Sequence, residues 1–174
     1  MKKTNLILAI LLILLGILYI RPYYQIKKEY LSRTYGDLMN LRTALSSLHY
    51  DLKQVDAGNT HDYSTSISWL HEVGISLDSR NSIFEINLGV PFQKHYEFFS
   101  RELKKEDPDH KKLMRYIEEY EQHLEELLRS LSKGNEIVYI DQGIQRNNHD
   151  PYLSRKKVRE KFEIFFSEIE KIAY

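Results

Sequence analysis

The chain has no cysteine, so disulfides, thiolate metal sites, a thiol nucleophile and a lipidated N-terminal cysteine are excluded together. It has only four prolines and seven glycines among 174 residues, too few for a proline-rich linker or a low-complexity segment. Neither sign of charge dominates, with 25 Lys+Arg against 25 Asp+Glu. Lys2 and Lys3 are the only charged side chains before Arg21, so the body beyond residue 20 carries 25 − 2 = 23 bases and 25 acids, a net of −2. Such a balance gives no general attraction to a phosphate backbone, and nucleic acid is not expected as a partner. No Asn-x-Ser/Thr sequon, phosphate-binding glycine loop, dinucleotide fingerprint or nucleophile elbow occurs.

The chain does have one long apolar run. From Leu6 to Ile20 nothing is charged, and Thr4 and Asn5 extend the uncharged stretch to 17 residues, the short end of what spans a bilayer. Tyr19, Tyr23 and Tyr24 follow, amphipathic rings suited to the lipid–water boundary. A signal peptidase requires small residues after such a core, whereas the exit reads Leu18-Tyr19-Ile20-Arg21-Pro22. Residues 1–24 are therefore read as an uncleaved signal-anchor helix, with residues 4–24 contacting membrane lipid, and residues 25–174 as the body. Lys2 and Lys3 lie closest to the span and favour an N-terminus inside and a body outside the cytoplasm. Arg21, Lys27, Lys28 and Arg33 on the other side nearly balance them, and the reversed orientation is the alternative.

The body reads as all-α, a bundle of about five helices, with at most one short hairpin-like strand pair. Leu31, Leu38, Leu41, Leu45, Leu48, Leu52 and Val55 recur at three and four residues, with Thr34 in the one polar slot. This is a narrow, coiled-coil-like seam on a long helix that Pro22 can open and Ala57-Gly58-Asn59 ends. A second helix presents Ile67, Leu70 and Leu77 on one face, with Trp69 and Val73 flanking them. A third, opening at Pro91, presents Phe92, Tyr96, Phe99 and Leu103. Asp107-Pro108 and Asp150-Pro151 read as capping devices before two last helices. One of these buries Leu113, Ile117, Tyr120, Leu124, Leu127 and Leu131. The other buries Val158, Phe162, Phe165, Ile169 and Ile172. Phe84 to Val90 alternates like a strand, and Glu136 to Ile140 is its expected partner.

Chemistry-bearing patterns are sparse. Seven histidines are the natural metal suspects, but His71-Glu72 lacks the second histidine of a helical zinc motif, and Glu119 and His123 are a lone i,i+4 pair. Glu118, Glu119, Glu121, Glu125 and Glu126 read as a solvated face. So do Arg155, Lys156, Lys157, Arg159 and Lys161, which form a candidate basic surface patch for anionic lipid or an acidic partner. Phe92, Tyr96, Phe98 and Phe99 read as core. No catalytic, cofactor-binding or metal-binding residue is assigned, and no enzymatic activity is expected. The expected function is that of a membrane-anchored helical binding or scaffolding protein acting through helix faces on a protein partner. The alternative is an extracytoplasmic small-ligand sensor that signals through a membrane partner. Leu31, Leu38 and Leu41 lie near the membrane end of the seam, where few intrachain partners are expected to reach. They are therefore the candidate partner or homodimer face.

Overall fold

The computed structural model describes residues 2–59, 62–78, 89–135, 139–140, 143–144 and 149–172. The described architecture is all-helical. Among the described residues five α-helices are formed: α1 (Lys2–Asp56), α2 (Ser64–Asp78), α3 (Gly89–Leu103), α4 (His110–Leu131) and α5 (Arg155–Ile172). A 3-10 turn, Lys133–Asn135, follows α4. Among the described residues, extended pairing is confined to Tyr139–Ile140 against Gly143–Ile144 and a lone bridge between Ser132 and His149. Of the expected pairing of 84–90 with 136–140 only 89–90 and 139–140 are described, and there Gly89 and Val90 begin α3 while Tyr139–Ile140 pair with Gly143–Ile144 instead.

The N-terminal apolar run and the first bundle helix are one element. At 55 residues and about 1.5 Å per residue, α1 is about 82 Å long. Pro22, expected to open a helix, lies inside it. Proline there removes the N–H that would bond the Leu18 carbonyl. That carbonyl lies beside exposed Tyr19, where the apolar run meets polar residues, so water or a lipid headgroup can satisfy it. The helix ends in a Schellman turn: Asn59 N–H donates to the Gln54 carbonyl at 3.0 Å and Gly58 N–H to the Val55 carbonyl at 2.9 Å. Gly58 sits at φ 82, a conformation that favours glycine.

The second half of α1 is wider than a narrow seam. Besides the expected leucines it buries Thr34, Tyr35, Met39, Ala44 and Asp51, because α1 packs α2 on one flank and α4 on the other. A broad stripe of this kind belongs to a globular bundle rather than a two-stranded coil. From there α2 packs on α3 and α4 on α5. Phe92 closes the set, its ring centroid 5.5 Å from that of Phe166 and 6.1 Å from that of Phe165. At the centre, Leu41, Leu45, Leu70, Phe92, Phe99 and Tyr120 leave a void of only about 10 Å³. The six apolar residues expected inward on α4 are all buried, joined by Tyr116 and Leu128.

Polar staples fix the register of α1 against its neighbours. The Ser66 hydroxyl donates to Asp51 at 2.5 Å and lies 2.8 Å from the Ser47 hydroxyl, tying α1 to α2. On the other flank Arg42 reaches Glu125 at 3.3 Å, Ser46 donates to Glu121, and His49 lies 3.4 Å from Glu118.

Both proline-led caps are displaced by a few residues. Asp109, not Asp107, caps α4, its carboxylate accepting from Lys112 N–H at 2.9 Å. Ser154, not Asp150, caps α5, accepting from Lys157 N–H at 3.2 Å, while Asp150 accepts from Tyr152 N–H in a local turn. In each case a residue preceding proline is disfavoured in the helical region, so the turn completes before the helix begins.

Candidate functional site

The sequence places Phe92, His95, Phe99 and Leu103 at spacings of three, four and four, so α3 buries all four on one face. A histidine therefore sits among apolar and aromatic side chains, 8% exposed. Its Nδ1 lies 2.5 Å from the Tyr116 hydroxyl, and its ring meets Tyr120 edge-on at 5.0 Å. Burial, helped by the neighbouring Lys94 charge, lowers its pKa from 6.5 to about 4, so the imidazole is neutral at pH 7. Burial, with Tyr116 beside it, pushes the Tyr120 phenol well above its ordinary value. This interior keeps both groups uncharged.

His95 also lines a cleft of about 260 Å³ between α3 and the last turns of α5. Phe98 and Phe166 give it aromatic surface, while Lys94, Arg101 and Glu170 bring charges of both signs. The Arg101 guanidinium stands 6.0 Å over the Phe98 ring and 3.5 Å from Glu102. Aromatic faces, a neutral imidazole and mixed charge suit a small polar or zwitterionic molecule. The sequence marks Phe98 as core, and it is partly buried against the core, whereas it marks His95 only as a metal suspect. The signal that identifies its place is its spacing of three and four from Phe92 and Phe99.

The other histidines are dispersed. His71 stacks on Tyr96 at 4.5 Å, and His123 lies 3.4 Å from Glu126 rather than against Glu119. His149 packs at 6.4 Å from Tyr35, and His61 falls outside the described residues. Among the described residues no group of three or more His, Asp or Glu is placed to hold a metal ion.

The candidate partner face does not lie open. Leu31, Leu38 and Leu41 are 1%, 0% and 4% exposed within the single chain. The end of α4 and the 149–150 segment fold back to this level. Tyr35 is 2.9 Å from the Ser132 hydroxyl, and Asp150 N–H donates to the Leu131 carbonyl at 2.7 Å. An exposed leucine row was the reason to expect a homodimer there, and the chain covers that row itself.

The acids of α4 are likewise not a plain solvated face, since Glu118, Glu121 and Glu125 border α1. The basic patch wraps α5 instead of forming one face. Lys156 and Arg159 sit 3.8 Å and 3.4 Å from Glu160 and Glu163 one turn on, Lys157 is exposed and Lys161 half-buried. Arg155 is half-buried and also engaged. Comparison with protein-family models, curated proteins and solved structures yields no match, so these residues are interpreted on their own chemistry.

Proposed function

We propose that this protein is a single-pass, membrane-anchored helical binding module whose body acts through its helix faces on a protein partner. The observation that carries the anchor is the state of α1 before the bundle. One helix near the N-terminus is long and apolar enough to cross a membrane. Ten large apolar side chains from Leu8 to Ile20 are each 50–69% exposed, and none is used by the body. Leaving them in water costs on the order of 10 kcal/mol or more, so something outside the chain covers them, and lipid fits their length and uniform apolarity. The bulky exit at Leu18 to Pro22, helical throughout, supports retention of the segment. The lysines before the span support a body outside the cytoplasm.

The closed centre of the bundle favours a surface-acting module over a buried reaction chamber. Ile75 and Ile164 are 58% and 64% exposed on separate helices, α2 and α5, and report on two different faces. Photocrosslinkers placed at these two positions in intact membranes should trap one recurring protein from one face and not the other. Equal, diffuse labelling from both would overturn the partner reading.

A second reading is favoured by the cleft beside His95, whose size and mixed polarity suit a small ligand. Under that reading Phe166→Trp, which crowds the cleft, abolishes function while the crosslink at the partner face persists.

A further inference from the structure

Gln25, Lys28, Glu29 and Ser32 recur at three- and four-residue spacing and share one face of α1 in the first polar turns beyond the apolar run. This face borders an open groove of about 630 Å³ whose other wall includes His149. Two features of the groove stand out. Arg33 and Glu29 are paired with each other, whereas Lys28 has no ion-pair partner among the described residues. His149 is 7% exposed, and both of its ring nitrogens lack a hydrogen-bond partner among the described residues. A buried polar group without a partner is costly, on the order of 1–3 kcal/mol, and uncommon enough to need a reason. Burial and then the field of Lys28 lower the His149 pKa, against a smaller raising effect of the Asp150 carboxylate, so the ammonium and the imidazole sense each other. Among the described residues, one cation without an ion pair and one imidazole without a hydrogen bond thus line the same groove, and an anion with several acceptor oxygens would satisfy both.

The position of the groove indicates where that anion comes from. Counted from Ile20, Gln25 lies about 7.5 Å and Lys28 about 12 Å further along the helix axis. Headgroups add about 5–8 Å to each side of the hydrocarbon layer. Tyr23, Tyr24 and Ile26, 51–61% exposed, carry amphipathic and apolar surface up to this level. Ser32 lies about 18 Å along, so the headgroup phosphate rises into the groove while the Lys28 side chain reaches back toward it.

We propose that the groove between the first polar turns of α1 and His149 holds the phosphate of an anionic membrane lipid. Lys28 supplies the charge, and Ser32, Gln25 and a His149 ring turned toward the groove donate hydrogen bonds. The site rests on the membrane-anchor reading and extends it from the apolar span to a specific headgroup contact.

The test uses the full chain. Flotation with phosphatidylcholine vesicles reports anchoring alone, and wild type and Lys28→Gln should float equally. Failure of both to float would overturn the anchor reading and this one with it. Native mass spectrometry after reconstitution in mixed phosphatidylcholine and phosphatidylglycerol then reads the retained lipid. Wild type should keep phosphatidylglycerol, and Lys28→Gln should lose it at least about tenfold, the scale of one charge-assisted contact. Lys111→Gln, an exposed basic side chain on α4 outside both the groove and the α5 patch, should retain it. Chains that float but retain no phosphatidylglycerol, or lose it equally in both variants, overturn the groove alone. Displacement of the lipid by millimolar inorganic phosphate would also overturn it, because the site would then belong to a soluble anion.

Discussion

At position 95 a histidine occupies a slot that the pattern of α3 reserves for an apolar side chain, and the fold accommodates it by keeping it neutral. Tyr116 takes one ring nitrogen, and burial holds the pKa near 4 against 6.5 for the unperturbed group. The sign of the pH effect follows from which state binds the proton. Between pH 6.5 and about 4 the unfolded chain protonates at this residue and the folded chain does not. Stability is therefore full above about pH 6.5, falls as pH drops toward 4, and levels off below. The limit for this one group is about 3 kcal/mol. His149, also lowered by burial, acts in the same direction. His95→Gln keeps a polar partner for Tyr116 but cannot titrate. Thermal melts of that variant between pH 7 and 4 should show a flatter decline than wild type, and superimposable profiles would mean that the imidazole is not held neutral.

For the elements, the second half of α1 carries most of the organisation, and Leu38 is its most informative position. At 0% exposure between two flanking helices, Leu38→Ala should cost about 2–5 kcal/mol, and Leu38→Asp should unfold the body. Circular dichroism of the variants in detergent checks this. Retained helicity in Leu38→Asp would place the residue on an outer face after all. Apolar periodicity made the inward faces of α4 and α5 legible from the sequence, because each helix has one unambiguous stripe. Position along the stripe does not reveal how much of the helix is covered. Leu31 therefore looked free, although Tyr35, Ser132 and the 149–150 segment, far apart in sequence, close over that level. The caps failed for a local reason: two aspartates flank Pro108, and which one satisfies Lys112 N–H depends on where the turn ends. The groups around the His95 cleft come from α3 and α5, some seventy residues apart, so no local pattern announces the site.

For the molecule as a whole, α1 divides into a part that belongs to the bundle and a part that does not. The described side chains from Leu8 to Ile26 include none that is buried, whereas Leu31 is fully enclosed. The core thus begins within one turn of Lys27. A fragment of residues 27–174 should consequently fold in water without detergent, with every apolar side chain buried among the described residues still present. Its new N-terminus places Lys27 and Lys28 against the positive end of the helix dipole, a cost of a few tenths of a kcal/mol that Glu29 partly offsets. For a body of this size 1 kcal/mol shifts the melting temperature by about 2–4 °C. The fragment should therefore melt within about 3 °C of the full chain in detergent and run as a soluble species on gel filtration, while the full chain without detergent or lipid should aggregate. A fragment that is unfolded or melts far lower would show that the first half of α1 contributes to the body, contrary to its exposure. A full chain soluble without detergent would show that its apolar run is covered by protein, and the membrane anchor would be lost as an explanation.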